Sequence, residues 1–294
     1  MTETLATEAF PRDRREALNR DIKTFYDASS GLWEQVWGEH MHHGYYEPGA
    51  PRVSRRQAQI DLIDRFLNWS YGDEVNPDAI ASLLDVGCGI GGSSLYLADR
   101  LNARATGITL SPVQAGRAGD RAKEMNLSDR AEFRVADALD MPFPDDSFDL
   151  VWTLESGEHM PDKRQFLSEC RRVLKPGGRL ALATWCHREG DLSADERQHL
   201  EQIYDVYCLP YVVSLSEYEA IAADLNFQSI RTEDWSEEVA PFWDVVIDSA
   251  KDLTVLPKVV LAGWQTIRAT LSLRLMSRGY ARGLVKFGLL TATK

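Results

Sequence analysis

The spacing of apolar residues in the middle of the chain switches repeatedly between the period of a strand and that of a helix. A short apolar run at residues 83–86 leads into a glycine-dense turn at residues 87–92, and a helical pattern follows over residues 93–101. Further strand-like runs occupy residues 131–135, 147–153 and 179–184. This alternation predicts an α/β fold with a mostly parallel, Rossmann-like sheet and helices on both faces. In such sheets ligands bind beyond the carboxyl ends of the strands, so we expect the functional site there.

The regions on either side of this alternation are mainly helical. Helical patterns cover residues 13–28, 54–69, 193–207, 216–225 and most of 239–276, and strand patterns cover 228–235 and 283–292. We therefore divide the chain into N-terminal helices with an aromatic and histidine-rich loop (1–78), a ligand-binding core (79–190), and a helical cap with the final strands (191–294). The two outer parts are expected to cover the ligand end of the sheet.

The composition is that of a soluble globular protein. The chain has 294 residues, 44% of them hydrophobic, and a net charge of −12. This charge argues against general nucleic-acid binding, because that function needs a basic face. The four cysteines form no C-x-x-C pair, no signal or transit peptide pattern opens the sequence, and no apolar run is long enough to span a membrane. These features predict a cytoplasmic protein.

The charge is unevenly distributed along the chain. Residues 251–294 contain eight basic residues and one acidic residue, and so carry a net charge of +7. Within this segment, residues 253–276 form an apolar helical pattern with spaced arginines. One interpretation is a cap helix whose basic side contacts the acidic remainder of the chain, and the pattern favours it. The other is a surface that rests peripherally on an anionic membrane.

The glycine-dense turn is suited to bringing backbone N–H groups close to a ligand at the start of a helix. Gly87, Gly89 and Gly92 match the dinucleotide pattern G-x-G-x-x-G. A nicotinamide dinucleotide, however, needs an acidic residue near the end of the second strand, and residues 105–111 contain none. Asp85 would repel a pyrophosphate but suits the ammonium group of S-adenosylmethionine. The turn therefore favours S-adenosylmethionine over NAD.

Downstream motifs support this interpretation and follow in order. Asp137 and Ala138 come directly after the strand at residues 131–135, where an acid can accept a hydrogen bond from the adenine amino group. The stretches PFPDDSFDLVW (142–152) and LKPGG (174–178) come next. Together with the glycine turn, these motifs resemble the class I S-adenosylmethionine-dependent methyltransferases. The resemblance implies a mostly parallel seven-stranded sheet, S-adenosylmethionine as cofactor, S-adenosylhomocysteine as its product, and no metal.

The candidate cofactor residues are assigned to parts of the cofactor. Asp85 and the turn residues are assigned to its methionine end, and Asp137 with Ala138 to the adenine. Thr109 with Gln114 stands where many methyltransferases have an acid for the ribose. Aromatic side chains of the N-terminal part would cover the sulfonium centre, because ring faces attract cations. The predicted cofactor-binding residues are Tyr26, Trp37, His42, Asp85, Gly87, Cys88, Gly89, Gly91, Thr109, Leu110, Gln114, Asp137, Ala138 and Glu155.

Stretches outside the core resemble one family more narrowly. They are SSGLWEQVWGEHMHHGYYEPG (29–49), GITLSPVQ (107–114), LESGEHMPDK (154–163), TWCHRE (184–189), DWSEEVAPFW (234–243) and GYARGLVKFGLLTATK (279–294). These stretches are similar to the gamma-tocopherol methyltransferase family, and the resemblance covers the chain from about Asp21. Plant N-methyltransferases of indole alkaloids are similar in the same motifs. The resemblance therefore implies methyl transfer and leaves two classes of acceptor open.

The candidate catalytic residues follow the strand at 147–153, at the rim where an acceptor would meet the methyl group. His159 is the first candidate for the general base, because an imidazole near its free pKa can take a phenolic or aminium proton. Glu158 at the same rim is the second catalytic candidate, and His187, which follows the strand at 179–184, is the competitor for the role of base. The predicted substrate-binding residues are Trp33, Tyr45, Glu155, His159, Trp235, Phe242 and Trp243.

The histidines at positions 40, 42 and 43 also raise the question of a metal site. Zinc sites usually need four protein ligands, or three with a water, and the sequence shows no partner cluster for these histidines. The resemblance places this loop over the cofactor and the acceptor instead. We therefore predict no metal.

The predicted activity is C-methylation of the aromatic ring of gamma-tocopherol or of a related tocopherol or prenylated phenol. The first alternative is N-methylation of an indole-alkaloid-type or other small amine. A NAD-dependent oxidoreductase is disfavoured by Asp85 and by the missing second-strand acid. A non-catalytic cofactor-binding module is disfavoured by the polar residues retained at the rim. The expected partner is a small-molecule acceptor, and the sequence leaves the oligomeric state open.

Overall fold

A seven-stranded sheet runs through this computed structural model, which describes residues 11–72, 75–250 and 264–294. Its strands are β1 (Ser82–Val86), β2 (Arg104–Thr109), β3 (Ala131–Val135), β4 (Phe148–Leu154), β5 (Leu174–His187), β6 (Gln228–Asp234) and β7 (Val285–Thr293). Their spatial order is β3-β2-β1-β4-β5-β7-β6. Strands β1 to β5 are parallel, whereas β7 lies antiparallel between β5 and β6. The predicted α/β fold with a mostly parallel seven-stranded sheet is confirmed.

Helices connect the strands and extend on both sides of the sheet. They are α1 (Arg12–Trp37), α2 (Arg55–Tyr71), α3 (Gly92–Arg100), α4 (Pro112–Glu124), α5 (Lys163–Val173), α6 (Ala194–Tyr207), α7 (Leu215–Asp224), α8 (Ser236–Val239), α9 (Pro241–Ala250) and α10 (Trp264–Ala281). Short 3₁₀ turns lie at Pro77–Ala79 and Gly157–His159. Strand order reverses between β1 and β4, so their carboxyl ends flank the crevice in which such folds bind ligands.

The core is divided by the sheet. Successive strand residues point to opposite faces, and Leu83 and Leu84 accordingly belong to two different clusters of buried apolar side chains. Helix α2 packs into the first cluster, with Phe66 completely buried, and α5 into the second, with Phe166 completely buried. Both faces of the central strands are therefore apolar, and the polar groups of the site are confined to the ends of the strands and the turns that follow them.

The N-terminal helix is longer than predicted. The sequence predicts a helix over residues 13–28 and a turn at residues 29–31, but α1 continues to Trp37. Within the helix, the hydroxyl of Ser30 donates a hydrogen bond of 2.5 Å back to the carbonyl of Tyr26. The predicted aromatic loop therefore begins only after this helix.

The basic C-terminal segment is described in part, because residues 251–263 lie outside the described residues. Several of its basic side chains contact acids elsewhere in the chain: Arg282 contacts Asp195 at 2.5 Å, Lys286 contacts Asp234 at 2.9 Å, and Lys294 contacts Asp146 at 2.6 Å. Among the described helices, none is both long enough and apolar enough to cross a membrane.

Candidate active site

The turn between β1 and α3 has a backbone that requires its glycines. Gly87, Gly89 and Gly91 have φ values of +83°, +53° and +84°, a region that residues with a Cβ rarely adopt. A Cβ on Gly87 would lie 2.2 Å from Cβ of Ser156, and a Cβ on Gly91 would lie 2.8 Å from the ring of Phe133. A Cβ on Gly89 would meet no atom within 4 Å. Gly87 and Gly91 thus permit close packing within the protein, whereas Gly89 borders open space in the cleft.

Asp85 lies at the end of β1, directly below this turn, and is only 3% exposed. Its Oδ2 accepts a hydrogen bond of 2.5 Å from the hydroxyl of Ser94 in α3. Burial raises the pKa of Asp85 to about 7, and the hydrogen bond from Ser94 opposes this shift. An ammonium group of a ligand would offset the cost of keeping this carboxylate ionised in a buried site. The position therefore fits the amino group of S-adenosylmethionine.

Thr109 and Gln114, which replace a ribose-binding acid, contact each other at the end of β2. The hydroxyl of Thr109 donates to Oε1 of Gln114 at 2.7 Å and accepts from the backbone N–H of Ser111 at 3.2 Å. The hydroxyl of Ser111 in turn donates to Asp27 of α1 at 2.5 Å. These groups line the cleft together with Leu110. Helix α1 therefore reaches this end of the cleft through Asp27.

Asp137 lies in the cleft after β3, and both of its oxygens accept hydrogen bonds. Oδ1 accepts from the backbone N–H of Leu139, and Oδ2 accepts from the side-chain amide of Asn19 in α1, both at 2.9 Å. Nε of Arg15 lies 3.7 Å from the same Oδ2. Ala138 lines the cleft beside Asp137. An adenine amino group would therefore share Oδ2 with α1.

Helix α1 and the loop after it form a lid over the cleft. The lid residues that line the cleft are Asn19, Ile22, Lys23, Tyr26, His40, Met41 and His42. Near the end of α1, Glu34 contacts both Arg117 and Arg121 of α4, the second at 2.6 Å. Burial, and then the neighbouring His40, lower the pKa of His42 to about 3, so its ring is neutral. The lid is thus attached to the core by ion pairs as well as by apolar packing of Trp37.

Glu155 follows β4 with a φ of +55° and is held by residues distant in the sequence. The backbone N–H of His43 lies 2.6 Å from Oε1, and Nδ1 of His43 lies 2.7 Å from Oε2. The indole N–H of Trp185 donates to Oε2 at 3.2 Å. Burial would raise the pKa of Glu155, but His43 outweighs it and the pKa is lowered. Glu155 is therefore an ionised carboxylate that fixes the lid loop.

Glu158 and His159 sit on the 3₁₀ turn Gly157–His159, at the same rim. Burial, and next the carboxylate of Glu155, raise the pKa of Glu158 to about 7, and its Oε2 accepts a hydrogen bond of 2.7 Å from Thr184. Burial, and then Lys163, lower the pKa of His159 to about 3. Nε2 of this neutral ring lies 2.8 Å from the hydroxyl of Tyr26. The rim therefore combines an acid that titrates near neutrality with a neutral imidazole.

A second, smaller cavity of about 50 Å³ adjoins the cofactor cleft at this rim. It is lined by Phe25, Tyr26, Trp37, Met41, Glu155, Glu158, His159, Trp185 and Tyr207. Tyr26, Met41, Glu155 and His159 line both spaces. The second cavity, called the acceptor pocket below, is aromatic on its walls and acidic at its rim, which suits the chemistry of a flat, apolar ring with one polar group. Because a cavity of about 150 Å³ is needed to hold benzene, the pocket would have to widen to admit such a ring.

Several predicted site residues lie outside both spaces. His187 ends β5, with Nδ1 2.7 Å from the carbonyl of Arg188 and Nε2 3.6 Å from Glu217. Tyr45 and Trp235 contact each other edge to face, with ring centroids 5.3 Å apart. None of these predicted residues is part of the lining of the cleft or of the acceptor pocket.

Other predicted aromatic residues support the pocket rather than line it. Phe242 and Trp243 are completely buried and pack against Trp37, with centroid distances of 5.4 and 5.8 Å. Trp37 itself lines the acceptor pocket, not the cofactor cleft. The side chain of Trp33 lies outside the described residues. Burying a large apolar ring in the core stabilises the protein more than placing it at a polar rim. These rings therefore pack behind the side chains that line the acceptor pocket.

The structure adds site residues that the sequence interpretation missed. They are Asn19, Phe25, Met41, His43, Ser156, Lys163 and Tyr207. His43 lies in the resembling stretch at residues 29–49, which the resemblance places over the cofactor and the acceptor without giving His43 a role of its own. No local signal pairs it with Glu155, which is 112 positions away. Among the described residues, no group of three or more side chains could hold a metal ion.

Known proteins resemble this chain in sequence and in fold. Residues 84–182 match the model of a methyltransferase domain. The chain is 50% identical over 284 residues to a probable tocopherol O-methyltransferase of Oryza sativa subsp. japonica, covering 94% of the chain and 78% of that protein. It is 45% identical over 289 residues to the tocopherol O-methyltransferase of Arabidopsis thaliana, covering 95% and 83%. It is also 34% identical to the norajmaline N-methyltransferase of Rauvolfia serpentina, covering 93% and 97%.

A solved structure shows the same fold with a cofactor product bound. The geranyl diphosphate C-methyltransferase from Streptomyces coelicolor A3(2), in complex with S-adenosyl-L-homocysteine, has a TM-score of 0.74 and 24% identity. The match covers 94% of this chain and 97% of that one.

The two tocopherol relatives correct one prediction. Both are described as chloroplastic, which contradicts the prediction of a cytoplasmic protein with no transit peptide. Residues 1–10 lie outside the described residues. Composition and cysteine usage describe the folded domain, whereas the compartment is encoded by a separate processing signal.

Proposed function

Because the chain belongs to the tocopherol methyltransferase family of class I S-adenosylmethionine-dependent methyltransferases, we propose that it methylates a ring carbon of gamma-tocopherol or of a related prenylated phenol. The chain is a methyltransferase, and its methyl donor is S-adenosylmethionine. The observation that supports the phenolic acceptor is the acceptor pocket, an aromatic chamber with one polar rim that opens beside the cofactor cleft.

The protein's contribution to methyl transfer is mainly positioning and the exclusion of water. Bound S-adenosylmethionine supplies a methyl group that is already activated by its positive sulfur. Asp85 and the glycine turn would hold the methionine end, while Asp137 would hold the adenine. Trp37 and Trp185 would hold the acceptor ring so that the nucleophilic carbon, the methyl carbon and the sulfur lie in line. The lid then keeps water from the reacting atoms.

The rim residues are proposed to remove the phenolic proton and to orient the phenolic oxygen. A phenol with an ordinary pKa near 10 becomes a better carbon nucleophile when its hydroxyl donates a strong hydrogen bond or loses its proton. Glu158 suits the role of base because burial raises its pKa to about 7, close to the working pH. His159 is a weaker base, and with Tyr26 it is proposed to orient the phenolic oxygen. His187 lies outside the pocket, so we assign it no role.

The bonds and protons of methyl transfer to a ring carbon can be accounted for with the residues of the site. The bond between sulfur and the methyl carbon breaks as a bond forms from that carbon to the ring, and the sulfonium becomes a neutral thioether. The methylated ring carbon then loses its hydrogen as a proton, and the ring regains aromaticity. Glu158 takes the phenolic proton during attack and returns it to the oxygen when the ring regains aromaticity, so the ring proton is the one net proton released, and it leaves to solvent.

An amine acceptor is the second candidate, and one observation favours it. The acceptor pocket combines aromatic faces with two carboxylates, Glu155 and Glu158, an arrangement that attracts an aminium cation. A relative described as a norajmaline N-methyltransferase is consistent with this use. Glu155, however, already interacts with His43 and Trp185, which leaves one carboxylate available to the acceptor.

A mass-spectrometric acceptor screen tests the proposal. The purified chain is incubated with S-adenosylmethionine and, separately, with gamma-tocopherol, delta-tocopherol and a tryptamine-type amine. We expect gamma-tocopherol to gain one methyl group and the product to co-elute with alpha-tocopherol, which shows ring methylation. A methyl ether or a methylated amine as the main product would contradict ring-carbon transfer. An incubation of the same protein without S-adenosylmethionine serves as the control.

A further inference from the structure

The turn that carries Glu158 and His159 is held from behind by a buried lysine that lines neither the cleft nor the acceptor pocket. We propose that Lys163 is a positioning residue for methyl transfer, whose ammonium group fixes the turn Gly157–His159 and sets the charge environment of its two rim side chains. The inference rests on the proposed function for its choice of rim residues, but not on the identity of the acceptor.

The contacts of Lys163 are directed at the main chain of the turn. Its Nζ donates to the carbonyl of Gly157 at 2.8 Å and to the carbonyl of Glu158 at 3.1 Å. Because these carbonyls belong to consecutive residues, the ammonium fixes two successive peptide planes. The orientation of those planes determines where the side chains of Glu158 and His159 point. Lys163 therefore acts on the rim through the backbone.

Position 163 is unfavourable for a lysine, because it is buried and lies at the N-terminus of a helix. Lys163 is the first residue of α5, where the helix dipole favours negative charge, and it is only 2% exposed. Burying an ammonium group is costly unless hydrogen bonds and charges compensate it. The compensation here comes from the two carbonyls and from the ring of Tyr211, whose centroid lies 4.9 Å from Nζ. An apolar residue would satisfy packing without this cost, so packing alone does not account for the lysine.

Neighbouring elements hold the turn from its other sides. A Cβ on Gly157 would lie 2.9 Å from Oγ1 of Thr184, so the turn packs directly against β5. The hydroxyl of Tyr218 in α7 donates to the carbonyl of Gly157 at 3.2 Å. Thr184 also donates to Oε2 of Glu158 at 2.7 Å. Of these partners, Lys163 alone is a cation.

The charge of Lys163 acts on both rim side chains in a defined direction. Burial and Glu155 raise the pKa of Glu158, and Lys163 opposes them. Burial lowers the pKa of His159, and Lys163 lowers it further. The other titratable groups that interact with Glu158 come from α1, β5, α7 and α10 and are Tyr26, Cys186, Tyr218 and Tyr280. Burial raises the pKa of each of these, so they are neutral near pH 7. Burial lowers the pKa of Lys163 itself to about 7, and the neighbouring Glu158 opposes this shift, so Lys163 supplies the positive charge below about pH 7.

Removing the charge of Lys163 should therefore lower kcat and also shift the pH dependence of kcat. In Lys163→Met, we expect kcat to fall by about 10²-fold, the lower end of general acid–base effects. The pKa of Glu158 should rise, so the acidic limb of the kcat profile should move to higher pH by about one unit. The dissociation constant of S-adenosylhomocysteine should change by less than about threefold. A purely structural role would lower the rate without moving the limb.

Two further variants make the test decisive. Lys163→Gln keeps a donor for one carbonyl but no charge, so we expect it to recover part of kcat while its acidic limb stays displaced. Lys294→Met is the matched control, because Lys294 also donates to a backbone carbonyl, that of Arg172 at 3.0 Å, and lies outside the site. It should leave kcat and the pH profile unchanged.

The outcomes of these experiments distinguish a failure of this inference from a failure of the proposed function. The acceptor is whichever compound the wild-type protein methylates, so a failure with gamma-tocopherol alone leaves the Lys163 test intact. An unmoved acidic limb in both Lys163 variants overturns the inference. Should Lys163→Met fail to bind S-adenosylhomocysteine, the Gln variant decides, and equal losses of kcat and cofactor affinity in it also overturn the inference.

Discussion

The hydroxyl of Tyr26 lies 2.8 Å from Nε2 of His159, although 133 positions separate the two residues in the chain. Their rings meet edge to face, with centroids 5.5 Å apart. Tyr26 belongs to the lid helix α1 and His159 to the rim turn, and both line the cofactor cleft and the acceptor pocket. The pair therefore marks the boundary between the two spaces, where methyl transfer would occur.

Removing this hydroxyl should weaken closure of the lid. In Tyr26→Phe the buried imidazole of His159 loses its partner, a change that costs about 1 kcal/mol. We therefore expect the dissociation constant of S-adenosylhomocysteine, measured by calorimetric titration, to rise about fivefold. Tyr204→Phe is the matched control, since that hydroxyl accepts from the backbone N–H of Val212 at 3.3 Å and lies outside the cleft. Equal affinities for all three proteins would contradict the role of this contact.

Cofactor affinity should depend on pH through Asp85. Burial raises its pKa to about 7, so below this pH the empty protein increasingly holds the protonated carboxyl. An ammonium group binds the ionised form, and affinity for S-adenosylhomocysteine should fall by up to tenfold for each pH unit below about 7 and level off above it. Asp85→Asn should bind at least about tenfold more weakly at pH 8 and lose this dependence. A wild-type affinity that is constant from pH 6 to 8 would rule out the assignment.

The two rim candidates should differ in their effect on catalysis. We expect Glu158→Gln to lower kcat by 10²–10⁴-fold, the range typical of a general base, because the amide cannot take a proton. His159→Ala should have a smaller effect, since the ring is proposed to orient rather than to deprotonate. Glu158→Gln should keep the wild-type affinity for S-adenosylhomocysteine, whereas His159→Ala also removes the contact with Tyr26 and should raise the dissociation constant about fivefold, as Tyr26→Phe does. If His159→Ala is the more damaging change, the base is His159.

The basic C-terminal segment should show little affinity for membranes. Arg282, Lys286 and Lys294 already contact acids of the same chain, which favours the cap interpretation. We expect the protein to stay in the supernatant when it is centrifuged with anionic or neutral vesicles at low ionic strength. Sedimentation with anionic vesicles alone, reversed by salt, would instead support peripheral docking through residues 251–294.

The parts of the site that could be predicted from the sequence are those whose chemistry is local. Strand β1, the glycine turn and Asp85 are adjacent in the chain, and the required φ values restrict the turn to glycine. Asp137 is predicted for the same reason, because it closely follows β3, and the structure places it in the lining of the cleft. For these residues, the position in the fold follows directly from the position in the chain.

The residues that could not be predicted depend on contacts between distant segments. Nothing near His43 in the chain indicates that it faces Glu155, since that pairing arises only when the lid loop packs across the end of β4. Trp235 and Trp243 were expected in the acceptor site because they are aromatic, but burial in the core competes for the same residue type. The extension of α1 to Trp37 likewise depends on packing, because the local sequence resembles a turn.

The span of helix α1 bears on the order in which ligands enter and leave. One continuous helix places Asn19 against the adenine acid Asp137 and Tyr26 against the acceptor rim, so the two spaces are covered together. A cofactor that arrives after the acceptor would find its own entrance covered. The enzyme should therefore follow an ordered sequence, with S-adenosylmethionine first and S-adenosylhomocysteine last. In steady-state inhibition, S-adenosylhomocysteine should then compete with the cofactor but not with the acceptor.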